Sequence, residues 1–333
     1  MDLTISIVNL NTKYLLEQCL NSIYDNVSEI GFEVFIVDNG SNDGSVQMVK
    51  EKFPWVKLIE NISNVGFARA NNQVINKSKS RYILLINSDT ILLPGTLATM
   101  VGFMDSHPAA GIVGCKLVYG DGTLQRSARR FPTIFDDISE SFYLDRFFPR
   151  SRIFSRHNLG FWEYDEIREV DWVSGACLMV RKEAIQDIGL LDERFFMYSE
   201  EMDWCFRMRK CGWKVYYKPN AQVVHFEGVS SLHKPEWMYI MLHRSQYLFR
   251  RKHYGRLSGV LFLIIALLGN VFKLCLWWLA YIMKIKKQEI AIEKMHIYWQ
   301  VLIWYLKGCK FQDLNDELLL SRQTLNFQGD NTN

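Results

Sequence analysis

Residues 82–90, Tyr-Ile-Leu-Leu-Ile-Asn-Ser-Asp-Thr, form an apolar run that stops abruptly at an amide, a hydroxyl and a carboxylate. A strand buried on both faces reads this way, and an open α/β sheet places its ligands at the carboxyl ends of such strands. The run predicts a central strand with Asp89 as the first residue to meet a substrate or its metal. The structural alternative is a side-chain turn in which Asn87 and Asp89 merely end the strand.

The residues before it repeat one unit. A strand over 3–8 ends at Asn9, and residues 14–24 carry apolar side chains at helical spacing. A second strand over 34–37 runs into Asp38-Asn39-Gly40-Ser41-Asn42-Asp43-Gly44-Ser45. A third strand over 56–59 and a helix over 67–75 lead to the central strand. Strand and helix alternating at this pitch predict an α/β fold with a doubly wound, mostly parallel, Rossmann-like sheet and right-handed crossovers. Such a sheet gathers the polar ends of its strands along one edge. Asp38 then suits a nucleobase or ribose, while Asp43 and Ser45 equally suit a helix cap. Gly66 opens the third helix and leaves room for a ligand against free amides. Arg69 and Asn72 follow it, either lining the site or facing solvent. This is neither a G-x-G-x-x-G nor a lysine-bearing phosphate loop.

The chain has 333 residues, 49% hydrophobic and 23% charged, enough for one large domain or two smaller ones. A net charge of +3 does not argue for a nucleic-acid partner. Seven cysteines without C-x-x-C spacing are no disulfide framework and no zinc site, and they fit reduced thiols in the cytoplasm. No signal peptide is read before the first strand.

In the second half, a strand over 111–119 meets a turn at Asp121-Gly122. Residues 126–165, rich in arginine and aromatics, read as a lid or acceptor loop, a membrane-facing flap, or an insertion packed on its own aromatics. A strand over 171–180 is broken at Gly175-Ala176, which predicts a bulge or close approach. Residues 199–210 read as a helix with a serine cap, acids in its first turn and bases in its last, an order the helix dipole alone favours. Two short strands, 215–217 and 221–224, end at His225, a structural donor or a ligand.

Val37-Asp38-Asn39-Gly40-Ser41, Asn64-Val65-Gly66-Phe67-Ala68, Asn87-Ser88-Asp89, Ser174-Gly175-Ala176, Glu200-Glu201-Met202-Asp203 and His225-Phe226-Glu227-Gly228-Val229-Ser230 occur in this order. Over residues 3 to about 256 the pattern resembles family 2 inverting glycosyltransferases of the GT-A fold, in particular rhamnosyltransferase-like members of bacterial polysaccharide assembly. The resemblance implies a nucleotide-sugar donor such as dTDP-rhamnose and a glycan or polyprenyl-linked acceptor. It implies a divalent metal, Mg or Mn, held by Asp89 with the donor phosphates and His225. Glu201 falls at the catalytic base, with Asp203 as the runner-up or, with Glu200, as an orienting partner. Asn9, Asp38, Gly66, Arg69, Asn72, Asn87, Gly175 and Ala176 fall on the donor site. Two positions depart from the family pattern: Asn87 stands where a full Asp-x-Asp has its first carboxylate, and Glu201 where aspartate is usual. A non-catalytic nucleotide-sugar-binding or scaffolding subunit is the competing reading.

The expected organisation is a GT-A domain over 1–256, with a nucleotide half (1–119) and an acceptor half (120–256). A membrane-associated helical region (257–322) and a disordered tail (323–333) follow. Residues 257–283 would extend about 40 Å as helix, but the uncharged piece, 257–272, reaches only about 24 Å. Basic residues flank both ends. This predicts a helical hairpin turning near Gly269-Asn270, docked by anionic lipid on the cytoplasmic face of the cell membrane. The alternative is a buried helical pair packed on the enzyme.

Overall fold

The computed structural model describes residues 1–25, 30–226 and 235–307. Its first part alternates strand and helix: β1 (Leu3–Asn9), α1 (Lys13–Asp25), β2 (Phe32–Asp38), α2 (Ser45–Lys52), β3 (Lys57–Glu60), α3 (Phe67–Lys77), β4 (Tyr82–Asn87), β5 (Thr90–Leu92), α4 (Thr96–Ser106) and β6 (Ala110–Val118). Strands β3, β2, β1 and β4 are parallel neighbours in that order. The apolar run of β4 is buried on both faces because side chains alternate across it. Leu84 and Ile86 pack into one core with Ile5, Ile36 and Leu97. Ile83 and Leu85 pack into another with Leu178, Trp204 and Phe249.

The following elements are β7 (Leu124–Gln125), β8 (Ala128–Arg129), α5 (Ile134–Ser141), α6 (Leu144–Phe147), β9 (Arg168–Glu169), β10 (Trp172–Val173), β11 (Cys177–Arg181), α7 (Lys182–Ile188), α8 (Glu200–Lys210) and β12 (Lys214–His225). The strand expected over 171–180 divides at Ser174-Gly175-Ala176. Its first part pairs with β8 in a separate two-stranded sheet. Its second part, β11, inserts antiparallel between β4 and β6. The two strands expected over 215–217 and 221–224 are one, whose register on β6 shifts between Lys218 and Gln222.

The arginine- and aromatic-rich stretch packs on its own rings: Trp162 stacks on Tyr164 at 4.2 Å, and Phe148 meets Phe154 at 5.2 Å. Helix α5 starts with a capping box between Thr133 and Asp136. It docks against α9 (Pro235–Ile282), where Asp137 and Arg250 form a buried ion pair.

Helix α9 changes direction once, at Gly255, whose φ of 89° suits glycine alone. It runs straight through Gly269-Asn270, so the hairpin does not turn there. A Cβ at Gly269 would come within 2.5 Å of Ser141, which makes this glycine a close helix contact. Asn270 Nδ2 donates to the Ala266 carbonyl at 2.7 Å, within the helix. The chain reverses instead over 283–287, and α10 (Gln288–Leu306) returns along α9 with Val301 and Trp304 against Ile240 and Met241. Among the described residues, α9 alone is long and apolar enough to cross a membrane, by length and composition. Residues 227–230 of the last motif and the tail expected over 323–333 lie outside the described residues.

Candidate active site

The polar strand ends meet along one edge. Asp38 is 2% exposed, accepting from Asn9 Nδ2 at 2.7 Å and from the backbone amides of Gly40 and Ser41 at 3.1 and 2.8 Å. Asn9 Oδ1 in turn accepts from Thr12 at 2.6 Å, and Thr12 lies 2.8 Å from Ser88 Oγ. Asp38 thus braces the loop after β2, joining the ends of β1, β2 and β4. Asp43 binds Ser45 and the Lys13 amide rather than capping α2 from the N-cap position, which is Gly44.

Beside this network, the pairing of β12 with β5 sets His225 opposite Thr90 and brings its ring to the turn after β4. His225 Nε2 lies 3.4 Å from Asp89 Oδ1 and 3.4 Å from Asn87 Nδ2, while Nδ1 lies 2.8 Å from Gln125 Oε1. With Gln125 accepting from Nδ1–H, the Nε2 lone pair points toward the Asp89 carboxylate. Asn87 Nδ2 donates to that nitrogen at 3.4 Å, and the imidazole and the carboxylate stand close enough for one cation to take both as ligands. The donor set of one carboxylate and one imidazole therefore fits a divalent ion completed by phosphate oxygens and water. Among the described residues no group of three His, Cys, Asp or Glu side chains is placed to hold a metal by itself.

Ala176 and Gly175 connect this corner to α8. Asn87 N donates to Ala176 O at 3.0 Å, and the Gly175 amide faces Glu201 Oε1 at 3.4 Å. The serine cap expected for α8 is not formed: Ser199 sits at φ 64° without a side-chain cap bond. The helix amides are left to the acidic residues. Glu200 and Glu201 each keep one buried carboxylate oxygen without a hydrogen-bond partner. Burial and the neighbouring Glu201 charge push the Glu200 carboxyl well above its ordinary range. Burial also raises Glu201, but less, because the backbone amides of Glu201 and Gly175 and the charge of Arg129 favour its anion. Burial favours a proton shared by the pair, and the Gly175 amide beside Glu201 favours placing the remaining charge there.

Asp203 is fully buried and turned the other way, bound by Arg207, Lys252 and His253. Burial opposes its charge, yet the hydrogen bonds from His253 and Lys252 together hold its carboxyl below the ordinary range. Two of its bonds join α8 to α9 and the third stays within α8, a setting that favours Glu201 over Asp203 as the base. Three further expectations change. Gly66 leaves room for backbone rather than ligand: a Cβ there would meet the Phe196 carbonyl at 2.5 Å, and that carbonyl accepts from Phe67 N. Asn72 is buried and spends its amide on Leu191 and Glu193. Arg69 has a 63% exposed side chain that extends toward Glu193.

A cavity of about 680 Å³ opens beside His225 and Ser174, lined also by Gln125, Arg126, Arg129 and Arg146. Gln125 escaped the sequence reading, since a glutamine beyond a hairpin turn carries no signal until β7 pairs with β6 and sets it beside His225. Lys252 and His253 were missed as partners of α8 because they come about fifty residues later in the chain.

A strand edge that collects a lone metal-type carboxylate, an imidazole and a paired acidic motif on this sheet defines a GT-A-like glycosyltransferase fold. The chain belongs to glycosyl transferase family 2, whose family model matches residues 4–189. It is 31% identical over 227 residues to the N-acetylglucosaminyl-diphospho-decaprenol L-rhamnosyltransferase of Mycobacterium tuberculosis (strain ATCC 25618 / H37Rv), covering 65% of this chain and 73% of that one. It is 28% identical over 172 residues to rhamnosyltransferase WbbL of Escherichia coli (strain K12), covering 48% and 61%. Among solved structures, its fold is similar to that of the mannosyltransferase PcManGT from Pyrobaculum calidifontis in complex with GDP-Man and Mn2+. That match has a TM-score of 0.56 at 14% identity and covers 92% of this chain and 88% of the other.

Proposed function

We propose that this chain is an inverting, divalent-metal-dependent glycosyltransferase that moves L-rhamnose from dTDP-rhamnose to a polyprenyl-linked or growing glycan acceptor in cell-surface polysaccharide synthesis. The observation that carries this reading is the contact chain Asp89–His225–Asn87–Ala176–Gly175–Glu201. It links a metal-type carboxylate beyond the end of β4 to a carboxylate of raised proton affinity in the first turn of α8. The Mycobacterium tuberculosis relative's name supports both the sugar and the lipid-linked acceptor. The metal bound in the mannosyltransferase complex supports a divalent ion.

In this mechanism Asp89 and His225 would hold the metal, with Gln125 fixing the imidazole. A bound Mg or Mn would act as a Lewis acid on the departing diphosphate. Asn9 and Asp38 brace the nucleotide edge, Asn87 faces the donor, and the break at Gly175-Ala176 brings backbone close to it. Glu201 takes the proton from the acceptor hydroxyl as that oxygen attacks the anomeric carbon from the side opposite the leaving group. One inversion then needs one base and no covalent sugar intermediate. Glu200, protonated beside it, leaves Glu201 as the single charge of the pair.

The test incubates the full chain with Mn, a panel of nucleotide sugars and a lipid-linked N-acetylglucosamine acceptor. Mass spectrometry identifies the product, and NMR assigns the anomeric configuration. Transfer of deoxyhexose with inversion upholds the reading, and transfer of another sugar or retention corrects it. Donor binding without turnover on any acceptor returns the chain to the non-catalytic class.

A further inference from the structure

Three arginines converge on the cavity beside His225, and each is held by something other than an acid. Arg129 lies over the Trp172 ring at 5.2 Å, Arg146 over the Tyr143 ring at 4.9 Å, and Arg126 donates to the Gly160 carbonyl at 3.3 Å. Among the described residues none of the three forms an ion pair with a carboxylate. Several other arginines are neutralised, Arg207 by Asp203, Arg209 by Glu169 and Asp171, and Arg250 by Asp137, while Arg152 and Arg168 also stand over rings, those of Phe161 and Trp162. Two of these guanidinium groups are fixed on aromatic rings and the third on a backbone carbonyl, and the three line one space, which suits a multiply charged oxyanion.

The position of the cavity selects the anion. His225 lines it, with Asp89 3.4 Å from its ring, so the donor's own diphosphate has its place beside that pair. Arg146 lines it from α6, directly after the helix that packs on the apolar α9. There Phe142 meets Phe272 at 5.3 Å and the Tyr143 hydroxyl bonds that of Tyr298 on α10 at 2.7 Å. The cavity thus runs from the reaction corner toward the apolar helices. Resting on the glycosyltransferase reading, we infer that Arg126, Arg129 and Arg146 form a binding site for the diphosphate of a lipid-diphosphate-linked acceptor, separate from the donor diphosphate. Its acceptor sugar then extends toward Ser174 and Glu201 while its lipid leaves along α9.

Farnesyl diphosphate is the probe, measured by equilibrium binding to the detergent-solubilised full chain, with farnesol as the phosphate-free control. The expected result is binding that survives EDTA, is not displaced by saturating dTDP with Mn, and is absent for farnesol. Removing one charged donor should weaken it about 10- to 100-fold in each of R126Q, R129Q and R146Q, with partial recovery in R129K and R146K. Circular dichroism checks that each variant is folded, and the lysine variants keep the charge where a glutamine disturbs packing. Displacement by dTDP and Mn would overturn the inference and give the arginines to the donor. Equal binding in folded variants would also overturn it. If the wild-type chain transfers no sugar from any nucleotide donor while the binding pattern holds, the catalytic reading fails and the diphosphate site stands.

Discussion

His225 Nε2 and Asp89 Oδ1 stand 3.4 Å apart, with Gln125 holding the far side of the imidazole. With these two as the residues that would hold the metal, Asp89→Ala should lose about 10²- to 10³-fold in turnover while keeping its fold, an effect typical of removing a group that stabilises developing charge. Gln125→Leu should raise the Mn concentration needed for half activity by about 10- to 100-fold, because the orienting bond is lost. Metal titrations of EDTA-stripped protein check both. Undiminished turnover of Asp89→Ala in EDTA would refute the metal assignment.

Glu201→Gln removes the proton acceptor and should lower kcat by about 10²- to 10⁴-fold with little change in donor KM. Since burial raises the Glu201 carboxyl, wild-type kcat should fall on acidification at a pH above the ordinary glutamate value of 4.5. Steady-state kinetics across pH read out both effects.

Glu200 has a different pH signature. Its folded-state proton affinity exceeds that of the unfolded chain, so the folded protein loses stability as pH rises from about 4.5 toward the raised value. Glu200→Gln cannot ionise and escapes this loss. Its Tm should exceed that of wild type at pH 8, and the gap should close on approach to pH 4.5. An equal gap at both pH values would show that Glu200 is not protonated by its surroundings.

Asp203→Asn removes the charge that Arg207, Lys252 and His253 surround. Breaking such a buried network typically costs about 3–5 kcal/mol. The expected phenotype is a lowered Tm and lower activity per milligram, with the turnover of the remaining folded fraction near normal. A turnover loss matching that of Glu201→Gln, at unchanged Tm, would restore Asp203 as the base.

The hairpin of α9 and α10 exposes Leu257, Ile264, Leu268, Trp278 and Ile285 on one apolar surface, next to Lys284, Lys286 and Lys287 at its turn. We propose that it lies on the cytoplasmic face of the membrane without crossing. Of the basic residues that flank the apolar stretch, Arg250 and Lys252 are committed to Asp137, Asp192 and Asp203, which leaves exposed Arg251 and the lysines of the turn as the electrostatic contacts. In sealed right-side-out vesicles, Ser258→Cys and Gln288→Cys in a chain cleared of native cysteines should both resist an impermeant thiol reagent until the membrane is opened. Labelling of the second alone from outside would establish a span.

Much of the fold was legible because it rests on local periodicity. Residues 82–87 are apolar at every position until Asn87, and only a strand covered on both faces uses such a run. The order of polar strand ends likewise put Asp38 and Asp89 on one edge. Pairings across long separations were not legible. Nothing local says that Asp203 meets Lys252 and His253, that the room at Gly66 is filled by Phe196, or that Asn72 caps the loop at Leu191. The turn near Gly269-Asn270 was misread for the same reason: a glycine facing Ser141 on another helix looks, in sequence, like a glycine that ends its own.

The bond between Asp203 and the Lys252–His253 pair also sets an order in time. As the chain is made, the sheet half and α8 emerge before residues 250–253 exist, and Asp203 has only Arg207 to balance it. Until the later segment arrives, the face of α8 that carries Asp203 lies open to water, so α8 gains its full support only when synthesis has passed the glutamate pair by some fifty residues. By then the ribosome is translating the apolar half of α9. A nascent chain acquires a firmly seated acidic helix and a membrane-seeking surface at nearly the same moment.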